Sequence, residues 1–378
     1  MTVLYLSHFF VSGLYRRKLA ALRRHGVRAV GLAPHCWIDD GRREDSDGQP
    51  GEAGLFHSVR AFLPGSGSLY FFSPLALFRA FRAARPDILH IDEEPWSLSC
   101  LQSILTCWAA CPTARILFDT SENLDKSLPW PVRLVERLTF LVSRSAIAIS
   151  REVMERLRRV GFTGPVRVVG HGIDTEAFRP RDRAAARGEN GVMGEFVVGF
   201  VGIVTRRKGV FVLLEAFRRA ALPGARLLWV GAGDALEDLR AACAMDPALA
   251  ASVTFVGPVA HDRVRGYLNC LDVLVLPSLT TPRWKEQFGR ILIEAMASGA
   301  VVVGSDSGGI PDVIGEAGIV VPEGDTDRLA AVLTMLRRSP ARRRDLERKG
   351  RSRVEELYSW DGVAAEVSEA YRECLRRA

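Results

Sequence analysis

The chain has 378 residues, 48% of them hydrophobic, seven cysteines and a formal net charge of +7. That length suits two domains, and that apolar content excludes wholesale disorder. No apolar run reaches the ~18 residues of a bilayer-spanning helix, and scattered cysteines without a CxxC pair point to free thiols in a reducing compartment, the cytoplasm.

The positive balance suits an anionic partner: a phosphate-bearing substrate, an acidic lipid surface or nucleic acid. No zinc-finger spacing or aromatic RNA-binding signature accompanies it, so nucleic acid is not expected.

The opening MTVLYLSHFFV has no basic leader and no small-residue cleavage site, and reads as a buried strand rather than a signal peptide. A loop holding Gly13, an amphipathic helix stopping near Gly26, and a strand from Val27 to Leu32 follow. Asp39 to Gly54 is polar and glycine-rich, so a mobile loop is expected, with Asp45 and Asp47 solvated rather than metal-binding. Phe71 to Phe81 interleaves apolar residues with arginine. It reads either as a core helix or as a surface that meets lipid or an apolar acceptor.

Strands at Asp87–Ile91 and Arg115–Phe118 each run into acidic loops, Asp92-Glu93-Glu94 and Asp119-Thr120-Ser121-Glu122. Open α/β sheets bind ligands where their strands end, so these acids mark a candidate crevice. Cys107 and Cys111 share a helix face, but no nearby histidine completes a metal set. A helix near Val132–Val142, a strand at Ala146–Ile149, a helix from Arg151 and a strand at Val166–Val169 complete the first half.

Strand and helix alternate throughout, which predicts a doubly wound parallel sheet over residues 1–177. Residues 178–195 are polar and glycine-bearing, as an interdomain linker should be. The pattern restarts for a second α/β domain over 196–358, followed by a helix in 359–378. In the second domain the loop Ile203–Gly209 carries Arg206, Arg207 and Lys208 ahead of a helix. These cations read either as a diphosphate clamp or as a solvated basic turn. Gly231-Ala232-Gly233 is half a dinucleotide fingerprint; Leu236 stands where its third glycine would be, so a tight turn is expected. Further strands are predicted at Val253–Val256, Val273–Leu276, Val301–Val303 and Ile319–Val321.

The most informative stretch is TPRWKEQFGRILIEAMASG, Thr281 to Gly299. It opens as loop and turns into a helix. Glu286 and Glu294 lie eight positions apart, roughly 12 Å along a continuous helix. A compact arrangement would let both touch one elongated molecule, such as a sugar nucleotide. Phe288 and Gly289 fall near the helix start, where free N–H groups and the dipole favour phosphate. Taken alone, a core helix with two exposed glutamates explains the stretch equally well.

The second half resembles family 4 of the retaining GT-B glycosyltransferases. The resemblance rests on FVG-x5-KG, LLWVGAGD, VTFVGPV, DVLVLPS, EQFGRILIEAMASG, SDSGGIPDVI and GIVVPEGD, in that order. The first half is similar more loosely, through IDEEPWS and ENLDKSLPWP. The resemblance implies two Rossmann-like domains facing across a cleft, with the tail helix able to cross back to the first. It implies transfer of a sugar from a UDP- or GDP-linked donor to a glycan, lipid-linked or small-molecule acceptor, the alternatives being a non-enzymatic nucleotide-sugar-binding protein or a GT-B epimerase or phosphorylase. Glu294 would bind the ribose hydroxyls, and Glu286 would serve the transferred sugar. Lys208 would neutralise the diphosphate. Gln287, Phe288 and Gly289 belong to the phosphate- and sugar-binding segment, and Val259 would lie by the base. The loop at Gly13 would close over the phosphates. The family often has histidine where this chain has Asp119, which makes Asp119 a second catalytic candidate. It usually has arginine where this chain has Ile203, so Arg206 or Arg207 is expected to supply that charge. No metal or further cofactor is expected, since cations and N–H groups can stabilise the leaving diphosphate. Peripheral contact with an anionic membrane at its inner face fits the basic, apolar first half.

Overall fold

The computed structural model describes residues 1–39, 42–46 and 54–376. The chain divides into two compact units, Met1–Gly172 with Trp360–Ala378, and Ile173–Ser359.

The sheet of the first unit is built from Thr2–Ser7 (β1), Arg28–Pro34 (β2), Phe56–Val59 (β3), Ile88–Asp92 (β4), Arg115–Thr120 (β5), Ser143–Ala148 (β6) and Val166–Val168 (β7). Their order is β7-β6-β5-β4-β1-β2-β3, and every pairing is parallel. Parallel strands covered on both faces need near-continuous apolar runs. Val3 to Leu6 and Ile88 to Ile91 meet that need, with every residue buried. The helix Trp360–Arg376 belongs to this unit. Its Trp360, Val363, Val367 and Tyr371 share one buried core with Leu19 and Leu22 of the helix Gly13–Arg24.

In the second unit the strands are Phe196–Val201 (β8), Ala225–Val230 (β9), Val253–Gly257 (β10), Val273–Leu276 (β11), Val301–Ser305 (β12) and Ile319–Val321 (β13). Their order is β10-β9-β8-β11-β12-β13, again parallel throughout. Both sheets are therefore doubly wound, as expected.

Two expectations are corrected. Residues 178–195 are not a bare linker: they contain the helix Arg183–Asn190 and lie inside the second unit. Their charge is used internally. Arg183 and Arg187 bind Asp272 at 3.2 and 2.6 Å, and Asp272 accepts the Val197 N–H at 2.7 Å. The loop expected over Asp39–Gly54 is partly strand, because Arg42–Asp45 pairs antiparallel with Cys36–Asp39. Residues 40, 41 and 47–53, including Asp47, lie outside the described residues, as does the tail residue Arg377.

Candidate functional site

Strand order reverses between β8 and β11 in the second unit, the place where open α/β sheets admit ligands. Lys208 stands in the turn after β8, and Glu286 in the loop after β11. Lys208 Nζ donates to Glu286 Oε2 at 2.6 Å, and Ser278 Oγ donates to the same oxygen at 3.0 Å. Glu286 is only 7% exposed, and a carboxylate that dry is tolerable because a cation and a hydroxyl both serve it.

Two glycines make this meeting possible. Gly209 has φ 71°, and a Cβ on it would lie 1.8 Å from the Pro277 carbonyl oxygen. The basic turn thus presses onto the end of β11. Gly308 has φ 56°, and its Cβ would lie 1.8 Å from the Glu286 carbonyl oxygen. That oxygen accepts the Gly309 N–H at 2.9 Å, so the turn after β12 fixes the backbone that carries Glu286.

Trp284 sits in a tight turn bridged to Thr281. Its ring lies under both Arg207 and Lys208, each 4.9 Å from the ring centroid. Arg206 points elsewhere, to Asp238 at 2.6 Å and over Phe211. Ile203 is half exposed.

The helix Arg290–Ala297 begins after Gly289, so Glu286 lies in the loop before it and only Glu294 is helical. Phe288 packs edge-on against Tyr358, with centroids 5.7 Å apart, so a ligand role for it falls to its backbone. Gln287 is exposed. Glu294 is 3% exposed. Its Oε1 lies 3.0 Å from Arg290 Nε and 3.7 Å from His261 Nε2. Burial pushes the Glu294 carboxyl up to about 7, against the pull of Arg290. Burial and the same arginine lower the pKa of His261. Val259 lies between β10 and the helix His261–Leu268, two residues from that histidine. Sequence reasoning missed Arg290 and His261. Arg290 stands four residues before Glu294, a helical pairing that spacing alone could have shown.

In the first unit, order reverses between β1 and β4. The three acids at the end of β4, Asp92 to Glu94, each reach a different neighbour. Asp92 accepts from Ser7 Oγ at 2.9 Å. Glu93 accepts the His8 N–H at 2.8 Å, the His8 Nδ1–H at 2.9 Å, and the Tyr70 hydroxyl. Glu94 accepts from Thr120 Oγ1 at 2.5 Å and from the Ser121 N–H at 3.0 Å. Burial works against a charged His8, but Glu93, helped by Asp92 and Glu94, raises the His8 pKa on balance. Asp119 is held by His90 Nε2 at 2.6 Å and by the Tyr5 hydroxyl at 3.3 Å. Lys18 Nζ donates to that same hydroxyl at 2.8 Å. Gly13 is the first residue of the helix Gly13–Arg24. Asp119 and Gly13 thus belong to the first unit, while the other predicted site residues belong to the second.

Burial pushes the Glu94 carboxyl up to about 7, against its hydrogen bonds from Thr120 and Ser121. Its folded pKa lies above the unfolded value. The stability linked to the protonated form is therefore complete below pH ~4.5 and lost as pH rises through about 7. Glu94→Gln is expected to remove this loss. The stability difference between variant and wild type should move in favour of the variant by up to ~3 kcal/mol between pH 5 and pH 8 in urea melts. A constant difference would contradict the assignment.

Among the described residues, no group of three or more His, Cys, Asp or Glu is placed to hold a metal ion, and no helix is long and apolar enough to cross a membrane.

Comparison with known proteins bears on this geometry. Residues 195–338 match the model of the group 1 glycosyl transferases, and residues 16–177 that of Glycosyltransferase Family 4. D-inositol 3-phosphate glycosyltransferase of Mycobacteroides abscessus is 32% identical over 240 residues, 60% of this chain and 51% of that protein. Alpha-maltose-1-phosphate synthase of Mycolicibacterium smegmatis is 32% identical over 282 residues, 67% of this chain and 72% of that one. The chain spans about half the length of the first of these relatives. Among solved structures, sucrose-phosphate synthase from Thermosynechococcus elongatus superposes with a TM-score of 0.71 at 23% identity, covering 99% of both chains. HepE from Anabaena, solved with UDP, superposes with a TM-score of 0.76 at 16% identity, covering 98% of this chain and 100% of that one. These likenesses show a shared GT-B fold.

Proposed function

The chain belongs to glycosyltransferase family 4, the group 1 glycosyl transferases, and on that footing we propose that it moves a sugar from a nucleotide-diphosphate donor to an acceptor hydroxyl. The reading carries retention of anomeric configuration and cytoplasmic placement with it. Its main support is the part-buried Lys208–Glu286 pair at the switch point of the second sheet. In the free protein Lys208 neutralises Glu286. A bound diphosphate would draw the ammonium toward itself, releasing Glu286 to accept hydrogen bonds from the sugar's hydroxyls.

As the sugar–phosphate bond lengthens, positive charge grows on the sugar and negative charge on the departing diphosphate. Lys208 and the N–H groups at the start of the Arg290–Ala297 helix stabilise the second. Glu294 holds the ribose at the other end, leaving the reacting carbon fixed between the two. UDP is the first nucleotide to test, because HepE was solved with UDP and with UDP-glucose. The deciding experiment is a panel of UDP- and GDP-sugars, screened by thermal stabilisation and then by turnover. Stabilisation by none of them would end the proposal.

Two expectations accompany it. Turnover should persist in EDTA, because fixed cations already face the leaving group; complete loss of activity there would contradict this. Arg207, stacked on Trp284 beside Lys208, is the better replacement for the charge absent at Ile203. Arg207→Ala should weaken donor binding about tenfold, and Arg206→Ala by less than about twofold, since Arg206 is an exposed partner of Asp238. Calorimetry showing the opposite ranking would reverse the assignment. The acceptor is proposed to be lipid-linked, which brings the first unit to a membrane.

A further inference from the structure

The greasy stretch of the first unit turns out to be two things at once. In the helix Pro74–Ala84, Leu77 and Phe81 are buried. Leu75, Phe78, Arg79 and Arg82 are exposed, and their spacing puts them within about 100° of one another on the opposite side. Immediately before it, Ala61–Phe62 and Phe71–Phe72 form a short antiparallel hairpin. Its loop presents Leu63 and Leu69, each 58% exposed, and Leu75 follows at 59%.

Such exposure costs free energy unless something covers it. The hairpin also holds Leu63 at φ 54°, a left-handed conformation that a leucine resists. Leu98, also exposed, joins the patch: its N–H donates to the Ser68 carbonyl at 2.9 Å. At the foot of the hairpin Arg60 lies over Phe62, which stacks on Phe71.

Charge identifies the occupant. From Arg60 to Pro86 there are four arginines and no carboxylate. Exposed apolar side chains interleaved with arginines, in a segment without an acid, match a bilayer whose headgroups are anionic. The patch is also continuous with the ligand edge of the sheet. Tyr70, the residue after Leu69, is fully buried and donates to Glu93, which holds His8 at the end of β1.

We infer that the 61–72 hairpin and the exposed side of the Pro74–Ala84 helix insert into an anionic membrane surface and present the ligand edge of the first unit to an acceptor carried by a lipid. This deepens the lipid-linked reading proposed above and rests on it.

The test is flotation of the full chain with vesicles of phosphatidylcholine alone and of phosphatidylcholine mixed with phosphatidylglycerol. Binding is expected only to the mixed vesicles. The Leu63→Ser/Leu69→Ser pair should lower partitioning by about 100-fold. Arg79→Gln and Arg82→Gln should each lower it about fivefold. Leu357→Ser, an exposed leucine of the second unit, should change nothing. A Leu69→Trp variant should be quenched by brominated lipid. Absence of flotation at low salt overturns the inference, as do serine variants that float like wild type. So does a patch whose serine variants abolish self-association instead of lipid binding, which would make the occupant a second copy. Donor stabilisation is measured without vesicles, so failure here and failure of the transferase reading are distinguishable.

Discussion

Glu286→Gln is expected to lower kcat by about 10²–10³ while leaving donor affinity unchanged or improved. The direction follows from what the carboxylate does in the free protein. It occupies Lys208 Nζ at 2.6 Å, so a donor diphosphate must compete for that ammonium. Glutamine removes the competitor without removing volume. What is lost is the charge beside the sugar as its own positive charge grows. Steady-state kinetics with a donor titration separates the two effects. Donor affinity falling as far as kcat would assign Glu286 to binding alone. The reciprocal change, Lys208→Met, strands a 7% exposed carboxylate. It should cost about 2–3 kcal/mol of stability as well as donor affinity. In the double variant Lys208→Met/Glu286→Gln the stability should return and the activity should not, because the buried charge is gone but so is the chemistry.

Glu294→Gln is expected to weaken donor binding by about 100-fold, the loss of charge on hydrogen bonds to two ribose hydroxyls. The pH dependence is the sharper prediction. The wild-type carboxyl, pushed up to about 7 by burial, accepts both hydroxyls only when ionised. Donor affinity should therefore rise as pH passes through about 7 and level off above 8, standing about tenfold lower at pH 6. The diphosphate of a nucleotide sugar has no group that titrates there, and burial and Arg290 lower the pKa of His261. In the glutamine variant the profile should be flat. A wild-type affinity equal at pH 6 and pH 8 would show that this carboxyl does not hold the ribose. The group is also a stability liability at high pH. Its folded pKa is raised, so stability linked to the protonated form fades as pH rises through about 7, and donor binding should offset that loss.

Much of this site could be read from sequence because its parts lie in short, ordered segments. Glu286, Glu294 and Lys208 stand at fixed places in a run of motifs: Lys208 in the turn after β8, Glu286 in the loop after β11 and Glu294 in the helix that follows. The strands themselves were legible because buried parallel strands must be apolar along their whole length, as Phe196–Val201 is. What stayed hidden depends on distant partners. His8 and Glu93 are 85 positions apart, and nothing local to either announces the other. The helix Arg183–Asn190 resembled a linker because its arginines look solvated in sequence; their partner, Asp272, lies more than eighty residues on. Asp119 was found as an acid at a strand end, but its ties to His90 and Tyr5 come from two other strands.

The placement of the Trp360–Arg376 helix has a consequence for how the polypeptide is made. The core of the first unit includes Val363, Val367 and Tyr371, residues that leave the ribosome long after β1 to β7 have emerged. Ile173 to Ser359 can close its own core while the earlier half still waits for its last helix. The half synthesised first is then the half finished last, and a nascent chain stopped near residue 359 would expose the apolar groove around Leu19 and Leu22 to chaperones and proteases.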